Sequence, residues 1–345
     1  MPKGLIIVES PAKARTITRM AGKGYQVLAS NGHVRDLPKS KLGVDLENGF
    51  EPHYVTIRSK SKVIKQLREK ASSVDEIYLA PDPDREGEAI AWHLMEVLKQ
   101  SKRPFRRLVF HEITERAIQE ALASPREINM DKVNAQQARR VLDRLVGYQL
   151  SPVLWKTIRY GLSAGRVQSV ALRLIVDREA EIGAFNPEEY WTIHAVVSDG
   201  GAASMEMGLV SWEGGKPRLK NEQEAQAVLD RLADKSLTIQ SIATKRRRRN
   251  PSAPFITSTL QQDAFRALRF SSKKTMQIAQ ELYEGLPIGE EGTVGLITYM
   301  RTDSTRIADE AIGEVRGFIE TTFGERYLPE KPNVYRKKTR SQDAH

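Results

Sequence analysis

The sequence predicts an α/β and α+β multidomain fold on three observations. Short apolar runs alternate with amphipathic helical stretches through residues 1–125, the pattern of a parallel sheet covered on both faces. Residues 130–184 carry helical periodicity, and residues 190–244 alternate apolar and polar side chains as strands do. A length of 345 residues suits two or three domains. The expected divisions are 1–130 (sheet domain, with 36–62 packing on the helical domain), 131–185 (helical), 186–250 (mixed β) and 251–345 (helical).

The first apolar run, GLIIV at 4–8, stops abruptly at Glu9, and Ser10-Pro11 supplies an N-cap and a proline at the first helical position. Strand, acidic tip and helix follow in that order. The pattern returns at 76–80 (EIYLA), with the loop PDPDREG at 81–87 and an amphipathic helix over 88–99. A third strand is expected at 107–110 and a helix at 114–123. Ligands of such a sheet sit outside the carboxyl ends of its strands, where Glu9 and the Asp82 loop both lie. From 130 to 184 three helices are expected, divided by Ser151-Pro152 and by the turn GLSAG at 161–165. Strands at 190–198 and 237–244 flank a helix near 222–233. After a linker at 251–254 come helices at 257–267 and 272–283, a strand at 293–299 and a helix at 304–320.

Lys and Arg outnumber Asp and Glu, for a net charge of +10, and the pI is about 9.6. From 139 to 173 seven basic residues (Arg139, Arg140, Arg144, Lys156, Arg159, Arg166, Arg173) face one acid, Asp143. That tract also holds Tyr148, Trp155 and Tyr160, and cations beside aromatics suit unpaired, stackable bases. The runs at 245–249 and 331–340 read equally as solvated faces. No stretch nears the roughly 18 apolar residues of a membrane span, and the N-terminus reaches Glu9 too soon for a signal-peptide core. The expectation is a cytoplasmic protein with no membrane partner. Cysteine is absent, which removes thiol catalysis and Cys-held metal.

Asp82, Asp84 and Glu86 put three carboxylates on one tight loop, and Glu9 joins them if its strand neighbours theirs. Like charges so close call for a neutralising partner, and Mg²⁺ bound through a few carboxylates fits. Alone, the triplet is also an acidic turn ahead of a helix. Lys13, one turn into the first helix, is a phosphate ligand or a surface lysine. Tyr299 lies in GLITYMRTDSTR, read as a strand running into a helix cap. Beside Arg301 and free helical N–H groups it would suit attack on a phosphodiester. By spacing alone the better reading is an ordinary tyrosine at a strand end, with Ser304 capping a helix, since such junctions are common.

Six segments occur in order across nearly the whole chain: IIVESPAKA from Ile6, NGHVRDLP from Asn31, PDPDREGEAIAWHL from Pro81, NAQQARRVLDRLVGY from Asn134, LSAGRVQSVALRL from Leu162, and GLITYMRTDSTRI from Gly295. With them the chain resembles the N-terminal part of the bacterial type IA DNA topoisomerase I family. The resemblance implies a Rossmann-like Toprim sheet, then helical and mixed β segments of an incomplete type IA toroid. It implies Tyr299 as nucleophile forming a 5′-phosphotyrosine, Arg301 as its positioning and charge-stabilising partner, Glu9 as general acid/base near the leaving 3′ oxygen, and Lys13 either assisting protonation or holding the scissile phosphate. Glu9, Asp82, Asp84 and Glu86 would hold Mg²⁺, with Mn²⁺ able to substitute. DNA, single-stranded or underwound, would meet His33, Arg139, Arg140, Asp143, Tyr148, Trp155, Ser163, Ala164, Gly165, Arg166, Val167, Gln168, Arg173, Arg301 and His345. No ATP is implied, which agrees with the absence of a GxxxxGK[ST] loop, and a monomer is expected. The chain stops at SQDAH where the family continues Glu-Ala-Ile-Arg-Pro, so a fragment is implied, with apolar faces exposed at 140–180 and 190–244. Two other readings stand beside relaxation of negatively supercoiled DNA: a catalytically incomplete metal- and single-strand-binding fragment, and a Toprim nuclease or primase.

Overall fold

The computed structural model describes residues 3–198, 204–247 and 249–335. They form two compact units, one of residues 1–165 and 251–345, the other of residues 166–250.

The first unit is built on a parallel sheet. Strand β1 (Gly4–Val8) leads to α1 (Pro11–Met20), which Ser10 caps by accepting from the Lys13 N–H. β2 (Tyr25–Ala29) pairs with β1, and a two-residue ladder joins β3 (Arg35–Asp36) to β4 (Val55–Thr56). Then come α2 (Ser61–Ser72), β5 (Glu76–Leu79), α3 (Arg85–Leu98), β6 (Phe105–Arg107) and α4 (Glu115–Ala123). The strand order is β2-β1-β5-β6, all parallel. Every residue of β1 is buried because both faces are covered. Leu5, Ile7, Ile77 and Leu79 meet α2 and α3 on one side; Ile6, Val8 and Tyr78 meet α1 and α4 on the other. Each such aliphatic side chain stabilises the fold by roughly 1.5–3 kcal/mol, so the strand ends that carry Glu9 and Asp82 are rigidly placed.

α5 (Met130–Thr157) packs beside α3 and runs as one helix through Ser151-Pro152, where a break was expected. Pro152 forgoes only the bond to the carbonyl four residues back, and the neighbouring Ser151 hydroxyl accepts from the Ala164 N–H. The segment from Leu37 to Tyr54 lies along α5: Leu37 and Val44 are buried with Val141, and Arg144 donates to the carbonyls of Pro38 and Lys41. β6 sits earlier than the expected 107–110, since β5 ends at Leu79 and offers one further bond, to the Leu108 N–H.

In the second unit, α6 (Arg166–Ala184) precedes the antiparallel pair β7 (His194–Ser198) and β8 (Ser204–Gly208), and α7 (Glu222–Leu232) follows. Its small core is Ile193, Leu219, Ala225 and Val228. Residues 237–244 form no strand: Leu237, Ile239 and Ile242 are exposed, so their alternation meets no opposing face. α6 exposes Val167, Val170, Leu172, Leu174, Ile175 and Val176.

Back in the first unit, α8 (Thr257–Leu268) and α9 (Ser272–Glu284) lead to the short antiparallel pair β9 (Leu286–Ile288) and β10 (Gly292–Val294). The expected strand through Tyr299 ends at Val294. Residues 295–300 are instead held by separate tertiary bonds, Leu296 N–H to the Leu282 carbonyl and Tyr299 N–H to that of His111, both 2.8 Å. Gly295 is required there: a Cβ would stand 2.9 Å from the Tyr283 carbonyl oxygen. α10 (Asp309–Phe323) starts five residues later than expected, because the Ser304 hydroxyl accepts from Arg306 N–H in a local turn instead of capping a helix.

Candidate active site

At the carboxyl end of β1, Glu9 faces the first turn of α1. The fully buried ammonium of Lys13 is shared between Glu9 Oε1 at 3.1 Å and Asp82 Oδ1 at 2.9 Å, with the Phe110 ring 5.0 Å away. Burial lifts Glu9 to about 8, Lys13 opposing and Asp82 adding to the rise. Burial works the same way on Asp82, but Lys13 overrides it and keeps that carboxyl below its ordinary value. For Lys13, burial disfavours the charge and the Asp82 and Glu9 carboxylates outweigh it, so the ammonium is held above its ordinary range. Glu9 Oε2 is buried with no hydrogen-bond partner.

Asp84 works with both oxygens. Oδ1 caps α3 by accepting from the Gly87 N–H at 2.8 Å, and Oδ2 accepts from the Tyr299 hydroxyl at 2.6 Å. Gly87 is the residue this turn needs, since a Cβ would stand 2.1 Å from the Asp82 carbonyl oxygen. Tyr299 is fully buried. Burial first, then the charges of Asp82 and Asp84, pushes its hydroxyl far above the ordinary tyrosine range. Its ring meets the edge of Tyr283, centroids 5.3 Å apart. Arg301 Nη1 lies 3.9 Å from Asp84 Oδ2, and the hydroxyl of Thr257 at the start of α8 donates to the Met300 and Thr302 carbonyls on either side of it. The expected placement of Tyr299 at free helical N–H groups is therefore corrected: the next helix begins at Asp309, and the tyrosine turns inward to the carboxylate loop. Glu86 accepts from Gln136 Nε2 at 3.1 Å and stands 3.5 Å from His33 Nε2; the His33 bond, more than Gln136, holds it down to about 2 against burial.

Several residues that build this site carry no local signal. Arg107 is fully buried, pairs with Glu88 at 3.0 Å, and donates to the carbonyls of Pro81 (2.9 Å) and Asp82 (2.7 Å). Lys132 donates to the Pro83 carbonyl at 2.9 Å. The loop that aims Asp82 and Asp84 is thus tied from behind at three successive carbonyls. Arg107 ends a short strand and Lys132 opens a helix, and nothing in either neighbourhood distinguishes them from surface cations.

The basic tract divides. Arg140 grips Asp36 through two bonds of 2.9 and 2.7 Å, Arg139 lies 3.9 Å from Asp143, and Arg144 is buried against loop carbonyls and the Tyr148 hydroxyl. Tyr148 donates to the Lys39 carbonyl, and Trp155 donates to that of Leu162, beside the Tyr160 ring. Ser163, Ala164 and Gly165 end the first of the two stretches that make up the first unit. Arg166, Val167, Gln168 and Arg173 lie on α6 of the second, where Arg173 pairs with Asp177. His345 lies outside the described residues. Three hollows adjoin in the first unit. One of about 290 Å³ is lined by His33, Tyr54, His93 and Arg140, another of about 410 Å³ by Glu9, Asp82, Gln280 and Arg301. A cleft of about 1010 Å³ is lined by Arg85, Arg126, Lys132, Arg139 and Arg301.

The carboxylates supply hard oxygen donors, and the open Glu9 Oε2 is a free ligand position. Among the described residues, no group of three or more acidic or His side chains is placed to hold an ion. Lys13, Gly87, Tyr299 and Gln136 already engage these oxygens. The donor set therefore fits a hard cation held through one or two carboxylates with water completing its shell, the habit of Mg²⁺.

A parallel sheet with carboxylates at two strand ends, a buried lysine between them and a tyrosine from a distant segment bonded to the carboxylate loop defines a Toprim-type α/β domain joined to a tyrosine-bearing helical segment. The profile of the Toprim domain matches residues 4–113, and that of the DNA topoisomerase family matches residues 127–345. The crystal structure of full-length topoisomerase I from Thermotoga maritima is similar at 47% identity over 94% of this chain, with a TM-score of 0.78. The chain belongs to the bacterial type IA branch of the DNA topoisomerase family. It spans 53% of the length of the Thermotoga maritima chain. Toprim domains in general bind divalent metal.

Proposed function

We propose that the protein is an ATP-independent type IA DNA topoisomerase that relaxes negatively supercoiled DNA through a transient single-strand break. One observation carries the reading: the Tyr299 hydroxyl is bonded at 2.6 Å to Asp84 of the carboxylate loop, beside Arg301. In cleavage the Tyr299 oxygen attacks the phosphorus, its proton passing to the Asp84 carboxylate, and the bond from phosphorus to the 3′ oxygen breaks. Glu9, protonated at neutral pH by its raised pKa, delivers a proton to the departing 3′ oxygen. Religation runs the same transfers backwards. Arg301 stabilises charge gathering on the phosphoryl oxygens, and Lys13 fixes Glu9 and Asp82 in place. Mg²⁺, or Mn²⁺ in its stead, held through one or two carboxylates of the set Asp82, Asp84, Glu86 and Glu9 with water completing its shell, would supply further positive charge at the phosphate. The diester energy stays in the phosphotyrosine, so no nucleotide is consumed.

The DNA partner is a single strand or underwound duplex laid along the cleft of Arg85, Lys132, Arg139 and Arg301, in a cytoplasmic monomer. A second reading, a fragment that binds metal and DNA without cleaving, is favoured by the full burial of Tyr299. A 3′-end-labelled single-stranded oligonucleotide incubated with the chain and Mg²⁺, then denatured, separates the two. Label migrating with the protein, and lost in Tyr299→Phe, supports cleavage. Binding without label transfer supports the fragment reading, and label surviving Tyr299→Phe overturns the nucleophile assignment.

A further inference from the structure

The last turn of α9 places Tyr283 behind the nucleophile. It is fully buried, its ring meets Tyr299 edge-on, and Lys13 Nζ lies 5.7 Å from its centroid. Its hydroxyl has no hydrogen-bond partner. Burial raises that hydroxyl's pKa; after burial, Lys13, Asp82 and Glu9 weigh most on it, which sets it among the charged groups of the site. Met276, Gln280 and Tyr283 fall on one stripe of α9, and the first two line the hollow that contains Glu9, Asp82 and Arg301. Glu9 Oε2, which borders that hollow, is another buried atom without a partner.

A buried hydroxyl with no partner lowers stability, and native proteins keep few of them. A phenylalanine would fill the same space against Tyr299 and α1 without that penalty. We propose, resting on the cleavage reading above, that Tyr283 is a further catalytic residue: its hydroxyl donates a hydrogen bond to the reacting phosphodiester once Tyr299 has left Asp84. No bond to Tyr283 forms or breaks. The hydrogen bond is made only when phosphate occupies the site, so it strengthens as negative charge gathers on the phosphoryl oxygens.

The test is Tyr283→Phe in the full chain, followed by transfer of 3′-label from a single-stranded oligonucleotide with Mg²⁺, by oligonucleotide affinity and by thermal unfolding. The expected result is cleavage and religation each slowed on the order of 10- to 100-fold, affinity within about twofold and a melting temperature equal to or above that of the parent. A merely packed tyrosine would leave the rates unchanged, and that outcome overturns the proposal while the cleavage reading stands. A lowered melting temperature also overturns it, since the hydroxyl would then have a structural partner. No label transfer by the parent chain overturns the cleavage reading and this proposal together.

Discussion

Replacing Arg107 by Met tests whether the loop bearing Asp82 and Asp84 is held from behind. The guanidinium is fully buried and its Glu88 partner is 3% exposed, at 3.0 Å. Met fills much of the stem's volume but leaves the Glu88 carboxylate in the interior with only the Asn129 N–H, at 2.7 Å, as partner. It also strips a donor from the carbonyls of Leu79, Pro81 and Asp82. Removing one member of a buried pair costs about 3–5 kcal/mol, a large share of the roughly 5–15 kcal/mol that holds a domain together. With a urea m-value on the order of 2–3 kcal/mol/M, the midpoint followed by tryptophan fluorescence should fall by about 1–2 M. Adding Glu88→Gln removes the stranded charge, so the double variant should recover about 1–3 kcal/mol relative to the summed single changes. A loss under about 1 kcal/mol for Arg107→Met, or strict additivity in the double variant, would refute the reasoning, because the loop would then stand without this anchor.

Gly87→Ala should destabilise the first unit by on the order of 1–3 kcal/mol, although helix propensity alone would favour Ala by about 1 kcal/mol. The added Cβ would stand 2.1 Å from the Asp82 carbonyl oxygen, and a melting temperature that rises would show the turn to be adaptable. Burial holds His93 down to about 3 against an ordinary 6.5. Below 6.5 the unfolded chain takes a proton that the folded one refuses, so stability falls as pH drops from about 6.5 towards 3, by up to about 1.4 kcal/mol per pH unit. His93→Phe should flatten that part of the stability curve, as measured by urea titration at several pH values. Glu9 has the opposite sign: its raised pKa adds stability that is fully present below about 4.5 and lost as pH rises through about 8. The rate of adduct formation should decline over the upper part of that window, and Glu9→Gln should remove the decline along with most of the rate. Binding of single strands should weaken with salt by about 2 log units per log unit if three cleft cations meet phosphates, and a flat response would place the strand elsewhere.

Much of the fold is legible because strand ends are set by local pattern. GLIIV and EIYLA stop where polar residues begin, so Glu9 and Asp82 fall at the carboxyl ends of strands by periodicity alone. The pairing of those strands, β1 and β5, which brings the two together, is a tertiary fact the local pattern does not carry. The helix starts at Pro11 and Glu115 follow from Ser10 and Thr114, whose hydroxyls accept from N–H groups three residues on. The pattern misleads where tertiary bonds replace ladders. Residues 295–300 look like a strand but take their hydrogen bonds one at a time from α9 and from the segment after β6. Pro152 looks like a helix end, yet α5 passes through it. Arg107, Lys132 and Tyr283 have no signature at all, since what sets them apart is burial by elements far away in the chain.

Asp84 joins the two halves of the site. One of its oxygens caps α3 and so depends on the Gly87 turn, and the other holds the Tyr299 hydroxyl. The cap keeps the carboxylate fixed whether or not the tyrosine is present, so Tyr299 can leave it without unravelling the loop. In the resting structure Tyr299 is fully buried, so a phosphodiester reaches it only after the segment that covers it shifts, and in the proposed step its proton crosses the 2.6 Å bond to Asp84 as the hydroxyl oxygen leaves for phosphorus. Tyr299 is held from two sides, by its bonds to Asp84 and to the His111 carbonyl on the sheet domain and by the packing of Tyr283 on α9 against its ring. Its own segment, 295–302, is tied to α8 and α9 through Thr257 and the Leu282 carbonyl. The proposed reaction therefore needs movement between that segment and the carboxylate loop, while Lys13, Glu9 and Asp82 stay in place on the sheet. On this account, changes at Arg107 or Gly87 disturb the charged half, and changes at Thr257 or Gly295 disturb the delivery of the tyrosine. Adduct formation should respond to both, while the pH window of Glu9 should shift only with the first.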